Sequence, residues 1–204
     1  MVPALLAAGT LAVSQPPFTA QVAPVTRAQL RWSYRPGCPV PPARLRRVTL
    51  RYVGFDGSAR TGSLVVNEAV VGDVVAVFRR LYAARFPIRR MQPIDAYRGS
   101  DERSLAADNT AAFNCRYAVT TGPRYWSAHA YGEAIDVDPV ENPYLEAGRL
   151  LPPAGRAFAD RSRVRPGMAV VGGTLVRAFA AVGWLWGGRW SGSPDYQHFS
   201  STGG

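Results

Sequence analysis

Lysine is absent from this 204-residue sequence, which also contains only two cysteines and two histidines. The 24 basic side chains are therefore all arginines, which outnumber the 14 acidic residues and give a formal net charge of +10. Long apolar runs are lacking too, because the longest candidate, residues 2–13, contains Pro3 and Gly9 and is shorter than the roughly 18 to 20 residues that cross a membrane. We expect no membrane-spanning helix, and a basic surface that attracts polyanions.

The scarcity of cysteine limits the kinds of metal site available. Neither Cys38 nor Cys115 has another cysteine or a histidine at the spacing of about two to five residues that is typical of zinc-binding motifs. An even pair of distant cysteines is common in proteins from oxidising compartments. A disulfide bond is therefore one interpretation of the pair, and two buried free thiols are the other.

The amino terminus has some features of an export signal. Residues 1–14 are apolar and end in Ala12-Val13-Ser14, a small-x-small sequence suited to signal peptidase, although no basic residue precedes Arg27. We interpret residues 1–25 as a signal-like leader, whose cleavage the sequence does not decide. The expected location is secreted or cell-envelope, outside the cytoplasm.

The remaining sequence has the length and composition of one globular domain. We expect an N-terminal extended wrap and hairpin over residues 26–61 and a core over residues 62–204. The elements predicted from hydrophobic periodicity are strands at 48–53, 62–66, 88–94 and 111–119, helices at 70–82 and 173–182, and a polar loop at 99–109. No internal repeat is present.

The first histidine lies in a dense polar motif, Ser127-Ala-His129-Ala-Tyr-Gly-Glu-Ala-Ile-Asp136. Asp136 and Asp138 alternate with aliphatic residues, which predicts a short strand with its carboxylates on one face. The odd separation between His129 and Asp136 would place them on opposite faces of a straight strand, so the chain must turn between them, and Gly132 supplies the turn. A histidine and an aspartate that converge in this way are suitable ligands for Zn2+.

The second histidine, His198, follows Asp195 by three residues in Pro-Asp-Tyr-Gln-His-Phe. As a third ligand, His198 leaves the fourth zinc position to water, which is the open coordination of catalytic zinc. Asp195 follows Gly-Ser-Pro and is predicted to lie on a turn, from which a carboxylate can reach that water. Three tryptophans upstream are equally consistent with packing and with stacking on a substrate: Trp184, Trp186 and Trp190.

Together the motifs Ser-x-His-x-x-Gly-x-Ala-x-Asp and Asp-x-x-His-Phe resemble the zinc D-alanyl-D-alanine carboxypeptidase family. That family includes vancomycin-resistance dipeptidases and phage L-alanyl-D-glutamate endolysins. The resemblance spans about residues 62–199. It implies an α+β fold, in which a single domain has a central antiparallel sheet that carries the metal ligands and is flanked by helices.

The resemblance also implies a role for each matched residue. The implied zinc ligands are His129, Asp136 and His198. Asp195 is implied as the catalytic base, at a position where many members have glutamate. Arg116 is implied to orient a substrate carboxylate, with Ser127 lining the same pocket, although an arginine can also simply neutralise a neighbouring carboxylate.

The function implied is that of a zinc metallopeptidase acting on peptidoglycan stem peptides, as a D-Ala-D-Ala carboxypeptidase or an L-Ala-D-Glu endopeptidase. The sequence does not separate these two activities. A non-catalytic, zinc-containing wall-binding module is the alternative, and Asp195 argues against it. A nucleic-acid binder is suggested only by charge. We expect peptidoglycan peptides as partners, no nucleic acid, and a monomer.

Overall fold

The computed structural model describes residues 15–119, 123–146 and 148–203, which form a mixed α+β domain as the resemblance implies. Its named strands pair antiparallel and its helices are short. The strands are β1 (Ala20–Pro24), β2 (Leu45–Val53), β3 (Ala59–Asn67), β4 (Ala134–Asp136), β5 (Tyr144–Glu146), β6 (Arg149–Leu151), β7 (Leu185–Trp186) and β8 (His198–Ser200). The helices are α1 (Val71–Ala83), α2 (Asp101–Ala106), α3 (Ala128–Tyr131) and α4 (Thr174–Ala180).

The longest strands form a sheet in the order β1-β2-β3. β2 and β3 pair along their whole length, so the predicted hairpin is confirmed. The alternation of β2 explains the packing, because Val48, Leu50 and Tyr52 are buried whereas the residues between them are partly exposed. β1 pairs with the other edge of β2, in a region where the sequence predicts only a leader and an extended wrap.

The predicted helix at 70–82 is confirmed as α1, which packs against β2 and α4. Its buried stripe recurs at three- and four-residue steps, the spacing of one helix face, and consists of Val74, Val77, Phe78, Leu81 and Tyr82. Asn67 caps the preceding 3₁₀ turn, since its Oδ1 accepts a hydrogen bond from the N–H of Ala69 at 3.1 Å. α1 itself therefore begins at Val71.

The sheet that positions the site has the order β4-β8-β7. In the β4–β8 pair, Ile135 lies opposite Phe199 and Asp136 lies opposite His198. Ile135 and Phe199 are fully buried, and Phe199 stacks on Phe179 of α4 with ring centroids 4.1 Å apart. Because neighbouring residues of a strand face opposite ways, this packing directs Asp136 and His198 together towards the other face.

Two of the predicted strands are wrong. Residues 88–94 make only isolated bridges, since Pro87 and Pro93 at the ends of this segment have no N–H for a ladder. Residues 111–119 are also irregular, because successive backbone groups bond to different neighbours. The N–H of Phe113 donates to the Val65 carbonyl, for example, and that of Cys115 to the Ser33 carbonyl.

The polar loop predicted at 99–109 is also wrong, because it contains α2. Ser100 is the N-cap, with its Oγ accepting from the N–H of Arg103 at 3.2 Å, and Asp101 and Glu102 occupy the first turn. Both features stabilise a helix start. The second predicted helix, at 173–182, is confirmed as α4.

Cys38 and Cys115 form a disulfide bond, which confirms one of the two interpretations of the pair. The bond lies in a second, smaller apolar cluster, where Leu30 and Val40 of the N-terminal segment are grouped with Phe113. Within the described ranges, no helix is long and apolar enough to cross a membrane. The apolar residues 1–14 lie outside the described residues.

Candidate active site

Three ligand-type atoms from separate parts of the chain meet in one place. Nε2 of His129 lies 3.2 Å from Nδ1 of His198 and 3.2 Å from Oδ1 of Asp136. The remaining distance, between His198 Nδ1 and Asp136 Oδ1, is 3.1 Å. The atoms form a nearly equilateral triangle, so the fold brings together the three residues that the sequence analysis expects as metal ligands.

The ring of His129 is fixed by local structure around α3. Ser127 caps this single turn by accepting from the N–H of His129, and Gly132 ends it with a φ of 71°. A Cβ at position 132 would lie 2.6 Å from the backbone nitrogen of Asn67, so the close approach requires glycine. Nδ1 of His129 lies 2.6 Å from the carbonyl oxygen of Ala112, which can only accept a hydrogen bond. Nδ1 therefore carries the proton and Nε2 presents a lone pair to the triangle.

Asp136 faces both histidines from its place on β4. Burial is the strongest influence on its carboxyl group and opposes ionisation. Its interactions with the two imidazole rings, first His129 and then His198, outweigh burial and hold the pKa of Asp136 well below its usual range. Asp136 is thus anionic at neutral pH and is a candidate oxygen ligand.

The triangle fits a zinc ion. Tetrahedral zinc with bonds of about 2.0 to 2.1 Å separates its ligand atoms by about 3.3 Å, close to the 3.1 and 3.2 Å observed here. Imidazole nitrogen and carboxylate oxygen are both common zinc donors. In the part of the chain that the structure describes, no other three His, Cys, Asp or Glu residues are spaced to hold a metal.

The triangle lies in the wall of a cavity of about 710 Å³, a size typical of ligand-binding pockets. All of the site residues expected from the sequence line this cavity: Arg116, Ser127, His129, Asp136, Asp195 and His198. Part of the lining is apolar and includes Leu105, Val119 and Leu151. The cavity can therefore hold a peptide next to the three ligand atoms.

Residues 120–201 match the family model described as D-alanyl-D-alanine carboxypeptidase. The matched residues include the whole triangle and Asp195. Over these residues the chain is similar to that family. The match begins after Arg116, so it does not include residues 62–119, which the sequence resemblance covers. No curated protein and no solved structure matches the chain.

Within the matched segment, Asp195 is a buried carboxylate on the wall of the cavity. Its side chain lines the cavity although the residue is only 8% exposed, and its Oδ1 has no hydrogen-bond partner among the described residues. Burial and then the negative charge of Asp136 raise the pKa of Asp195 to about 7. Such a carboxyl group exchanges protons readily near neutral pH.

Two residues with expected substrate contacts have protein partners as well. Arg116 forms an ion pair with Asp101 of α2, in which Arg116 Nε lies 2.5 Å from Asp101 Oδ2. It therefore lines the cavity and neutralises a neighbouring carboxylate, and its expected contact with a substrate carboxylate stays a prediction. The hydroxyl of Ser127 is used as the cap of α3, so its clearest task is to hold the backbone of His129.

The three tryptophans divide between core and cavity. Trp184 and Trp186 are buried in the main core cluster. Trp190 lines the cavity, with its ring centroid 5.2 Å from that of His198. Only Trp190 is thus placed to contact a bound peptide.

Several cavity residues were not found by sequence reasoning. Asp101, Tyr144, Arg149 and Gln197 line the cavity, although none belongs to a pattern that marks a site. Gln197 is 3% exposed and its Oε1 has no partner among the described residues. Burial and then the charge of Asp195 raise the pKa of Tyr144, whose backbone forms an isolated antiparallel bridge with that of Asp195. The only signal in the sequence concerned Asp101, because Ser100-Asp-Glu is a typical helix start and marks the beginning of α2.

Proposed function

We propose that the protein is a zinc-dependent peptidase that hydrolyses peptide bonds in peptidoglycan stem peptides, as a D-Ala-D-Ala carboxypeptidase or an L-Ala-D-Glu endopeptidase. The observation that carries this proposal is the triangle of ligand atoms in a cavity that also contains a buried carboxylate, Asp195. Structural zinc sites are normally closed by four protein ligands, whereas the described residues provide three here. This difference favours catalysis over a zinc-containing wall-binding module.

His129, Asp136 and His198 would hold the zinc ion. When bound, the ion would supply Lewis acidity, which polarises the scissile carbonyl and lowers the pKa of the attacking water. The protein contributes the fixed geometry of its donors. The carbonyl of Ala112 sets the tautomer of His129, and the β4–β8 pairing sets Asp136 opposite His198.

Asp195 is the proposed general base. Its carboxylate would accept a proton from the attacking water and then deliver that proton to the leaving amine. Its low exposure supports this role, because a buried carboxylate without a full set of hydrogen bonds is a stronger proton acceptor than a solvated one. The turn at Gly187 packs directly on Asp195, and a Cβ there would lie 2.8 Å from the Asp195 carbonyl oxygen, so the residue is held in place.

Arg116 is the proposed anchor for a carboxylate of the substrate. A guanidinium group matches the planar geometry of a carboxylate, and binding at this point would set the scissile carbonyl beside the ligand triangle. The position of Arg116 in the lining of the same cavity supports this role.

The proposed location is outside the cytoplasm, either secreted or in the cell envelope. The disulfide bond between Cys38 and Cys115 supports an oxidising compartment. The formal net charge of +10 favours approach to an anionic wall at low ionic strength.

The proposal is tested by incubating the purified protein with intact muropeptides, with zinc or with a chelator, and identifying the products by mass spectrometry. Asp195→Asn removes the proposed base without changing side-chain size. Asp160→Asn is the matched control, because Asp160 is exposed and does not line the cavity.

We expect products from the wild type and Asp160→Asn only when zinc is present, and almost none from Asp195→Asn. Loss of one terminal alanine identifies the carboxypeptidase activity, and cleavage between L-Ala and D-Glu identifies the endopeptidase activity. Zinc bound at one equivalent without any product would contradict the proposal and support the wall-binding module.

A further inference from the structure

Arg116 is oriented by a contact on one side of its guanidinium group. Its Nε lies 2.5 Å from Oδ2 of Asp101, at the start of α2. Its Nη1 makes a long contact of 3.4 Å with the carbonyl oxygen of Tyr117, and no contact of Nη2 is present among the described residues. Among the described residues the terminal nitrogens have no closer protein contact, and Arg116 lines the cavity in which a ligand can lie.

Asp101 is itself held by a second contact. Its Oδ1 accepts a hydrogen bond from Nδ2 of Asn114 at 2.8 Å, and Asn114 is buried. Each carboxylate oxygen of Asp101 therefore has one partner, and the two partners are two residues apart on the same segment. The cap provided by Ser100 fixes the backbone from which Asp101 projects.

The same segment is tied to the ligand triangle through the backbone. The N–H of Asn114 donates to the carbonyl of His129 at 3.2 Å, and the N–H of Ser127 donates to the carbonyl of Arg116 at 3.1 Å. The carbonyl of Ala112 accepts from the ring of His129. Residues 112 and 114 thus bond to His129, and residues 114 and 116 contact Asp101. These contacts fix the position of Arg116 relative to the triangle.

We propose that Asp101 is a positioning residue that orients the guanidinium group of Arg116 towards a carboxylate group of the substrate. An unpaired arginine side chain has many rotamers, and fixing it in one of them before binding reduces the entropy that binding must overcome. The inference rests on the proposed function, because it assigns Asp101 to the carboxylate-binding part of the same site.

The test measures binding without turnover, in chelator-treated protein. The probes are N-acetyl-D-alanyl-D-alanine and the same dipeptide with a terminal amide, and their dissociation constants are measured by NMR titration. The variants are Asp101→Asn and Glu102→Gln. Glu102→Gln is a matched control, since Glu102 is the next residue of α2, lines the same cavity and undergoes the same change of charge.

We expect the wild type and Glu102→Gln to bind the carboxylate roughly tenfold more tightly than the amide, as charge-assisted hydrogen bonds allow. For Asp101→Asn we expect this ratio to fall to about threefold or less, with binding of the amide unchanged. Asn114→Ala, which removes the donor that holds Asp101, should lower the ratio in the same direction.

The inference would be overturned if Asp101→Asn left the ratio unchanged, including the case in which both probes bind equally more weakly. It would also be overturned if Asp101→Asn increased the ratio, because Asp101 would then compete with the ligand. A wild type that does not distinguish the probes overturns it as well. Hydrolysis of muropeptides is measured separately, so a failure of the proposed enzyme activity is distinguishable from a failure of this inference.

Discussion

At the scale of single residues, the chemistry of the site depends on which atoms are already occupied by protein partners. Nδ1 of His129 donates a hydrogen bond to the Ala112 carbonyl, which leaves Nε2 to face the other two atoms of the triangle. Asp195 differs from His129 in this respect, because its buried Oδ1 has no hydrogen-bond partner among the described residues. Removing a metal-ligand contact and removing the proposed base should therefore have different effects.

For Asp195→Asn we predict a fall in kcat of about 100- to 10,000-fold, the usual contribution of a general base. Zinc affinity should stay within a few-fold of the wild type, since the triangle does not include Asp195. Steady-state kinetics and a competitive zinc titration measure the two quantities. A variant with nearly full activity would show that another group takes the proton.

The sequence was most informative at this scale. The three candidate ligands and Asp195 could be named because histidine is scarce and each histidine lies in a motif of fixed spacing. Arg116 was named only from the family resemblance. Asp101 could not be named, because its role depends on contacts with Asn114 and Arg116 that only the folded chain creates.

At the scale of secondary-structure elements, α3 is a single turn whose ends determine where His129 points. Gly132 ends that turn in a left-handed conformation against the backbone of Asn67. A longer helix would be stabilised by its own packing, whereas a single turn depends mainly on its caps.

We therefore predict that Gly132→Ala lowers both stability and zinc affinity. The added Cβ would meet the Asn67 nitrogen at 2.6 Å, and φ at this position is 71°, so steric and conformational strain act together. We expect a loss of about 1 to 3 kcal/mol in unfolding free energy, measured by denaturant titration. Gly148→Ala, also at positive φ but with open space around it, is the control for conformation alone. Equal losses in the two variants would contradict a specific role for the close approach.

Element prediction succeeded where one face of an element is apolar and failed where contacts are irregular. The β2–β3 hairpin and α1 have clear periods of two and about 3.6 residues, so their existence follows from the sequence. Residues 111–119 looked like a strand because they are apolar, yet their backbone groups bond to several different neighbours. The hydrophobic periodicity of a sequence does not reveal that its backbone groups bond to several different neighbours.

At the scale of the whole molecule, stability depends on burial of charge and on the covalent link between distant segments. Glu141 is buried beside Asp108, Asp138 and Arg89. Burial and then the contact with Asp108 raise the pKa of Glu141 from 4.5 to about 7. Between pH 4.5 and about 7 the folded state therefore keeps a proton on Glu141 that the unfolded state has lost. The stability that the protonated Glu141 contributes is present below pH 4.5 and is lost as the pH rises through about 7.

We predict that Glu141→Gln, which resembles the protonated side chain, changes the pH dependence of stability. Wild type and variant should have similar melting temperatures near pH 4, below the ordinary pKa of glutamate. At pH 8 the variant should be the more stable, by on the order of 2 kcal/mol. Thermal unfolding at the two pH values measures the difference. A variant that is less stable by the same amount at both would show that the ion pair with Arg89 dominates.

We also predict that the disulfide bond stabilises the fold substantially. It joins residues separated by 77 positions, and a loop of that length corresponds to a stabilisation of about 4.5 kcal/mol in the chain-entropy model. The double variant Cys38→Ser/Cys115→Ser should unfold at a clearly lower denaturant concentration than the oxidised wild type. An unchanged midpoint would indicate that the smaller apolar cluster holds the N-terminal segment unaided.

The most direct test of the proposed zinc peptidase is the rate of muropeptide cleavage as zinc is added stepwise to chelator-treated protein. We predict that the rate rises in proportion to zinc, stops rising at one equivalent, and is abolished by His198→Ala. Cleavage that is complete without metal, or no cleavage at one bound equivalent, would contradict catalysis by a zinc ion held by His129, Asp136 and His198.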